Sequence, residues 1–416
     1  MSTQPSVLGL KRSFGFGDRL GLATPGHLEA VKGSSFTPIF AQQSIREMAR
    51  TRRQPDQVMT CAKQALEAAK FSGIWGADAD HLQTREDVFR VAKEGFTFFT
   101  IDPSAHVNKD ADALNLAQLE AAAAALAVKG AIQPGQIFDL YLNKRFDLEG
   151  GALAFDDRTA LLRALVKYGG ALFHTKQMFD WIAEACAGRA FECEMSVDET
   201  PQPTSPLEHL FIGLELKRLG VKLVSLAPRF VGEFEKGIDF KGDKTLFEAH
   251  YRRHVAIAKH CGPYKLSVHS GSDKFSIYPI AGRLSGELLH VKTAGTSYLE
   301  ALRVAARVAP DYMQEIVAFC RGRYETDRAT YHVSAKLSEV PEKVESKDLE
   351  RWYLEHDAGR QILHVTFGSV LSGETPGSGQ RSFKERLLEI LTKHPDLYKE
   401  VLAKHLGKHI RLLEGK

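Results

Sequence analysis

Short apolar or β-branched runs recur along this chain, most of them followed by a helical pattern of about a dozen residues or more, and this alternation limits the possible folds most tightly. The runs occupy residues 36–40, 71–75, 96–101, 191–196, 221–226, 264–268, 288–291 and 362–367. Amphipathic patterns at 54–69, 110–128, 157–186, 206–219 and 297–308 lie between them. Alternating strand and helix builds a parallel sheet, and eight such units close naturally into a barrel. The expected fold is therefore α/β, a (β/α)8 TIM-type barrel with helical insertions and C-terminal helices. A doubly wound open sheet is the alternative. It lacks its glycine-rich turn here, because Gly15 and Gly17 are followed by Asp18 and follow no predicted strand.

Segment lengths set the expected organisation. Residues 1–30 read as an N-terminal extension and 31–375 as the barrel, with helical insertions near 105–190 and 305–360. Within the first insertion, 137–142 is a possible further strand. Residues 376–416 read as C-terminal helices, with a capping pattern over 385–413.

Composition excludes several functions. A hydrophobic fraction of 44%, a charged fraction of 26% and a net charge of +3 describe a soluble globular protein and argue against a dedicated nucleic-acid binder. Basic clusters such as Arg50, Arg52 and Arg53 read as solvated helix faces. Five cysteines without a CxxC pair give neither a disulfide framework nor a cysteine zinc knuckle, which fits a reducing cytosol. The N-terminus lacks a basic region leading into a sustained apolar run, and no stretch approaches the roughly 18 apolar residues of a membrane span. A cytoplasmic protein with no membrane partner is expected.

Strand ends carry the chemistry, because in a parallel barrel they all open into one mouth. The stretch 264–298 delivers His269, Ser270, Asp273 and Lys274, then Lys292, Thr293 and Thr296, at two neighbouring strand ends. GADADHLQT supplies Asp78, Asp80 and His81; TIDPS supplies Asp102; ECEMSVDET supplies Glu192, Glu194, Asp198 and Glu199; APRFVGEFEKGIDF supplies Arg229, Glu233, Glu235, Lys236 and Asp239; and the last run supplies His364. Carboxylates and neutral imidazoles converging from different strands can replace the water shell of a divalent cation while leaving a position open. Arg229, Lys274 and Lys292 stand where an anionic substrate would meet them, a guanidinium gripping a carboxylate through two bonds. Duller roles compete: Asp78 as a helix cap or ion-pair partner, Asp102 as a helix starter before Pro103, and His209, His250, His254 and His260 as ordinary helix residues.

Eight motifs spread along most of the chain resemble one family. They are GADADHL from Gly76, FTIDPS from Phe99, SVDETPQPTSPLEH from Ser196, PRFVGEFEKGIDF from Pro228, GPYKLSVHSGSDKFSIYP from Gly262, HVKTAGTSYLEALR from His290, DRATYHVSA from Asp327 and HVTFGSVL from His364. Together they are similar to the tagaturonate epimerases, which interconvert D-tagaturonate and D-fructuronate at carbon four. The resemblance implies a barrel, a divalent metal and a small sugar-acid substrate. Residues 1–30 and 110–189 carry none of it.

The implied substrate dictates the chemistry. In a 2-keto hexuronate the carbon-four hydrogen lies beta to the ketone and is not acidic, so enolisation cannot invert that centre. Retro-aldol cleavage between carbons three and four, rotation of the aldehyde fragment and re-addition can, given a base and an acid on opposite sides of the carbon. Transient oxidation would need a nicotinamide, for which no fingerprint is present. With strand-end geometry as the guide, the expected ligands are His81, Glu235 and His269, with Asp102, Glu194 and His364 in reserve. The expected acid/base pair is Asp80 and Glu199; because adjacent strand residues point to opposite faces, Asp80 and His81 can both serve only if they lie in the loop beyond the strand. A metal-dependent sugar isomerase of the same barrel type and a non-catalytic sugar-acid binding barrel are the alternatives.

Overall fold

Eight parallel strands close on themselves in the computed structural model, which describes residues 4–128, 133–373 and 381–416. In chain order they are β1 (Ser13–Gly17), β2 (Thr37–Ser44), β3 (Gly76–Leu82), β4 (Phe98–Ile101), then β7 (Glu192–Ser196), β8 (Leu223–Ala227), β9 (Lys265–Val268) and β10 (Leu289–Thr293). The residue pairs β5 (Arg145–Phe146) and β6 (Leu153–Ala154) form a separate antiparallel ribbon within the first insertion. Closure comes from β1, which pairs with both β2 and β10: Ser13 lies opposite Thr37 on one side and His290 on the other. The expected (β/α)8 barrel is thus the fold.

Several expectations about its parts fail. Residues 1–30 are no mere extension, because they supply the first strand. SFGFG hides there: Phe14 and Phe16 are fully buried, Phe14 meeting Phe36 edge to face and Phe16 stacking on His27 and Phe40, while the glycines leave room for neighbours. A Cβ on Gly15 would sit 1.6 Å from the Gln42 amide oxygen, and one on Gly17 would sit 2.5 Å from the Ala294 carbonyl. The run 362–367 is not the last strand. Residues 362–365 lie in a helix, Asp357–Val365, whose residues from Ala358 onward are all buried, and Phe367 opens a second, Phe367–Leu371; an apolar run this short suits a core element of either kind. Likewise 137–142 falls mostly in a helix, Pro134–Tyr141, and the run 71–75 leads into a strand that begins only at Gly76. The boundary expected at 375 and 376 lies outside the described residues.

Helices Phe383–Lys393 and Pro395–Leu413 follow it. The second runs back across the outside of the barrel, with Leu402 against Gly26 and Leu413 against Gly282, where any larger side chain would collide. No helix among the described residues is long and apolar enough to cross a membrane.

Most of the core lies between sheet and helices, as barrel geometry requires. The lumen is different. Near the strands' N-terminal ends Leu8, Ile39, Phe98 and Val224 form a small apolar cluster apart from the main core. Further along the lumen becomes ionic, and this positions the site.

Candidate active site

Lys292 on β10 reaches across the lumen to strands that are not its neighbours. Its ammonium lies 2.7 Å from Asp78, 2.8 Å from Asp80 and 3.0 Å from Glu194, and it also donates to Thr100. Thr100 in turn donates to Asp78 at 3.0 Å, and Ser225 donates to Glu194. One cation thus faces three buried carboxylates. Burial, outweighing Lys292, pushes the Asp78 carboxyl up to about 7. Burial also opposes the charge on Glu194, but Lys292 and His269 together hold it well below the ordinary glutamate range.

Above this layer β3 makes a local departure that the site depends on. Between Ala79 and Leu82 it carries one residue more than β4 has between Phe99 and Ile101, a β-bulge, and His81 adopts a left-handed backbone with φ 56°. Asp80 and His81 thus lie within the strand and not in a loop beyond it, but alternation is broken there and both reach the mouth: His81 Nδ1 lies 2.8 Å from Asp80 Oδ1. The strained backbone at a strand end is what a functional position tolerates.

Two imidazoles and a carboxylate meet at this point. The His81 and His269 rings are 5.3 Å apart, and His81, His269 and Asp198 offer donor atoms that all lie within 4.8 Å of one another. Glu194 accepts from His269 Nε2 at 2.6 Å, which turns Nδ1 toward Asp198 at 3.3 Å. Ser196 donates to Asp198 at 2.5 Å and lies 3.2 Å from His269 Nδ1. Both His81 nitrogens are buried without a hydrogen bond, since the short approach to Asp80 lacks the required angle. Burial opposes a charge on His269, yet Asp198 and Glu194 raise it to about 9. A carboxylate cage that stabilises positive charge, with unpartnered ring nitrogens inside it, fits a divalent cation; borderline metals take this two-imidazole, one-carboxylate set.

Of the expected ligands, His81 and His269 therefore come together and Glu235 does not. Glu235 accepts from the Ser334 amide at 2.9 Å, its hydroxyl at 2.7 Å and Gln361 at 2.7 Å, with Lys241 at 3.3 Å, and so is spent fastening the 334 segment. Asp198 takes its place, a residue already visible in SVDET beside Glu199. Among the reserves, Glu194 orients His269, Asp102 accepts from Gln83 and the Ser104 amide, and His364 borders the mouth against Gly237 and Gly295.

The expected acid/base pair, Asp80 and Glu199, does line the same cavity, and Arg46 holds Glu199 at 2.9 Å. Arg229 lies in the adjoining lobe, its Nε buried and unpartnered and a terminal nitrogen 3.5 Å from Glu233. Lys274 cannot serve substrate: its ammonium donates to the carbonyls of Glu235, Ile238 and Ser272, which uses all three protons, and it is fully buried. Lys236, four residues before Phe240, faces the cavity instead. It borders both lobes and donates to the Ser270 hydroxyl at 2.5 Å. Tyr331 and His332 close the outer lobe, His332 at 2.6 Å from Glu233. No strand-end rule points to that segment, which folds over the mouth from the second insertion.

A closed parallel barrel with this mouth belongs to the (β/α)8 enzymes, and its relatives place it among the carbohydrate isomerases. Residues 1–413 match the model of a single family, described as tagaturonate epimerase. A tagaturonate/fructuronate epimerase of Thermotoga maritima is 44% identical over 414 residues, covering 99% of this chain and 82% of that one. Crystal structures of a fructuronate-tagaturonate epimerase from Cohnella laeviribosi, native and with one glycerol, superpose with TM-scores of 0.92 and 0.93 at 36% identity, covering 99% of this chain and 83% of theirs. The chain belongs to the tagaturonate epimerase family, and it is an epimerase.

Proposed function

We propose that this enzyme inverts carbon four of a keto-hexuronate, converting D-tagaturonate to D-fructuronate, with a divalent cation held by His81, Asp198 and His269. The names of its relatives support the substrate, and the convergence of those three side chains on one point supports the cation. When bound, the cation supplies Lewis-acid polarisation of the ketone at carbon two.

The chain's own groups do the rest. Glu194 orients the His269 imidazole from behind, the arrangement in which a carboxylate fixes a ligand ring and its tautomer. Arg229 and Lys236 meet the substrate carboxylate, since the first has an unfilled N–H and the second is the cation shared by both lobes. Glu199 on one wall accepts the proton of the carbon-four hydroxyl. The bond between carbons three and four breaks, its electron pair passes to carbon three and the ketone, and carbon four becomes an aldehyde. That aldehyde turns over, the bond re-forms on its other face, and the oxygen recovers a proton on the opposite wall; Asp80, held ionised against its burial by His81 and Lys292, relays there the proton that Glu199 releases to solvent, so both carboxylates end as they began.

Incubating the protein with tagaturonate, before and after chelation and with each of several divalent ions restored, tests this reading. Fructuronate should form, vanish with chelator and return with metal, and His269→Ala should carry no metal by elemental analysis. Turnover undiminished by chelation, or His269→Ala active with metal retained, would overturn the metal reading. Deuterium from heavy water entering carbon one or two would instead identify a sugar isomerase.

A further inference from the structure

Outside the mouth the described residues contain one more cluster of metal-ligand type, Asp273, His405 and His409. It is not a second metal centre. His409 Nε2 accepts from the Asp273 amide at 2.9 Å while Nδ1 lies 2.9 Å from the His405 carbonyl, so neither nitrogen keeps a free lone pair. The Arg360 guanidinium already sits 2.8 Å from the second Asp273 oxygen, where it would repel another cation.

Its placement gives it another meaning. Asp273 stands midway along the loop between β9 and the helix Tyr278–Ser285, four residues after His269, and that loop holds two non-glycine residues in the left-handed region, Ser270 at φ 49° and Asp273 at φ 63°. Such a backbone persists only where its surroundings over-determine it. Gly271 is tied to the Lys292 carbonyl at 3.0 Å, and Asp273 is tied on three sides: to His409 through its amide, to His405 at 2.6 Å and to Arg360 through its carboxylate. Arg360 also donates to the Gly237 carbonyl at 2.7 Å, next to Lys236. Both histidines stand on the C-terminal helix Pro395–Leu413, one turn apart.

We infer that His405 and His409 are positioning residues: through Asp273 the C-terminal helix sets the loop bearing His269 and Ser270, and Arg360 carries the same constraint to Lys236. The inference is about these groups' effect on the proposed active site, and it rests on that reading for its kinetic consequence only. A ligand displaced by about 1 Å costs up to about a hundredfold in rate, and loss of a group behind a ligand costs about 10- to 100-fold.

Three full-length variants test it: His405→Ala, His405→Gln, which can still donate to Asp273, and Leu406→Ala, which removes a fully buried apolar side chain from the same helix and none of the cluster's hydrogen bonds. Hydrogen exchange of the 269–274 amides and steady-state kinetics are read together. His405→Ala should speed exchange at Gly271 and Asp273 by about tenfold or more and lower kcat by about tenfold or more with KM little changed. His405→Gln should restore most of both, and Leu406→Ala should lower the urea midpoint while leaving both intact. Should His405→Ala fail to fold, His405→Asn, too short to reach Asp273, carries the same expectations. Unchanged loop exchange in the variant lacking the contact, or an equal kcat loss in Leu406→Ala, would overturn the inference. Because exchange is measured without substrate, it decides the point even if tagaturonate is not turned over.

Discussion

Replacing Lys292 with methionine isolates the energetics of the ionic lumen. The change keeps most of the side-chain volume and removes the one ammonium that faces Asp78, Asp80 and Glu194 at 2.7, 2.8 and 3.0 Å. All three carboxylates are buried, and removing one partner of a buried pair costs about 3–5 kcal/mol because the remaining charge cannot reach water. The expected loss for Lys292→Met at pH 8 is therefore about 3–5 kcal/mol in urea unfolding followed by circular dichroism. The sign of its pH dependence follows. Without the ammonium the folded-state carboxyl groups titrate above their unfolded values of 3.8 for Asp78 and Asp80 and 4.5 for Glu194, as Asp78 already does at about 7. Such groups favour folding below the unfolded value and lose that contribution as pH rises, so the deficit against wild type should shrink by at least about 1 kcal/mol between pH 8 and pH 5.5. Adding Asp78→Asn should recover part of the loss, since it deletes the carboxylate that least tolerates its charge. A deficit below about 1 kcal/mol, or one equal at both pH values, would refute the account.

Three further outcomes follow from the geometry. Glu194→Gln should leave the fold intact and weaken divalent-ion binding by about 10- to 100-fold in titration calorimetry, because the amide no longer fixes the His269 ring. Lys274→Met should lower unfolding free energy by at least about 2 kcal/mol, from carbonyls left without donors, while the KM for tagaturonate stays within about twofold; a large KM increase would restore Lys274 to the substrate site. Burial holds His27 at about 4 and His209 at about 3, both well below 6.5. Depressed histidines contribute stability above pH 6.5 that is lost as pH falls toward the folded values, up to about 3 kcal/mol for His27, and His27→Gln should flatten the decline in urea midpoint between pH 6.5 and 4.

The chain's alternation of short apolar runs with amphipathic helices was sufficient for the barrel, because period and length are local properties that survive without knowledge of contacts. It also placed His81, His269, Asp80, Glu199 and Arg229 at the mouth, since every strand end of a closed parallel barrel opens there. What local pattern could not carry was competition for the same groups. Glu235 and Lys274 look as reactive in the sequence as Asp198 and Lys236, and only the folded chain spends the first two on backbone and amide partners far away in sequence. The first strand escaped notice because two of its five residues are glycines whose worth lies in what they make room for. The helix at Asp357–Val365 passed for a strand because the apolar run 362–367, taken without the polar turn before it, is too short for its period to show. The pairing of Asp80 with His81 needed a bulge, which depends on the register of β3 against β4 and so belongs to neither strand alone.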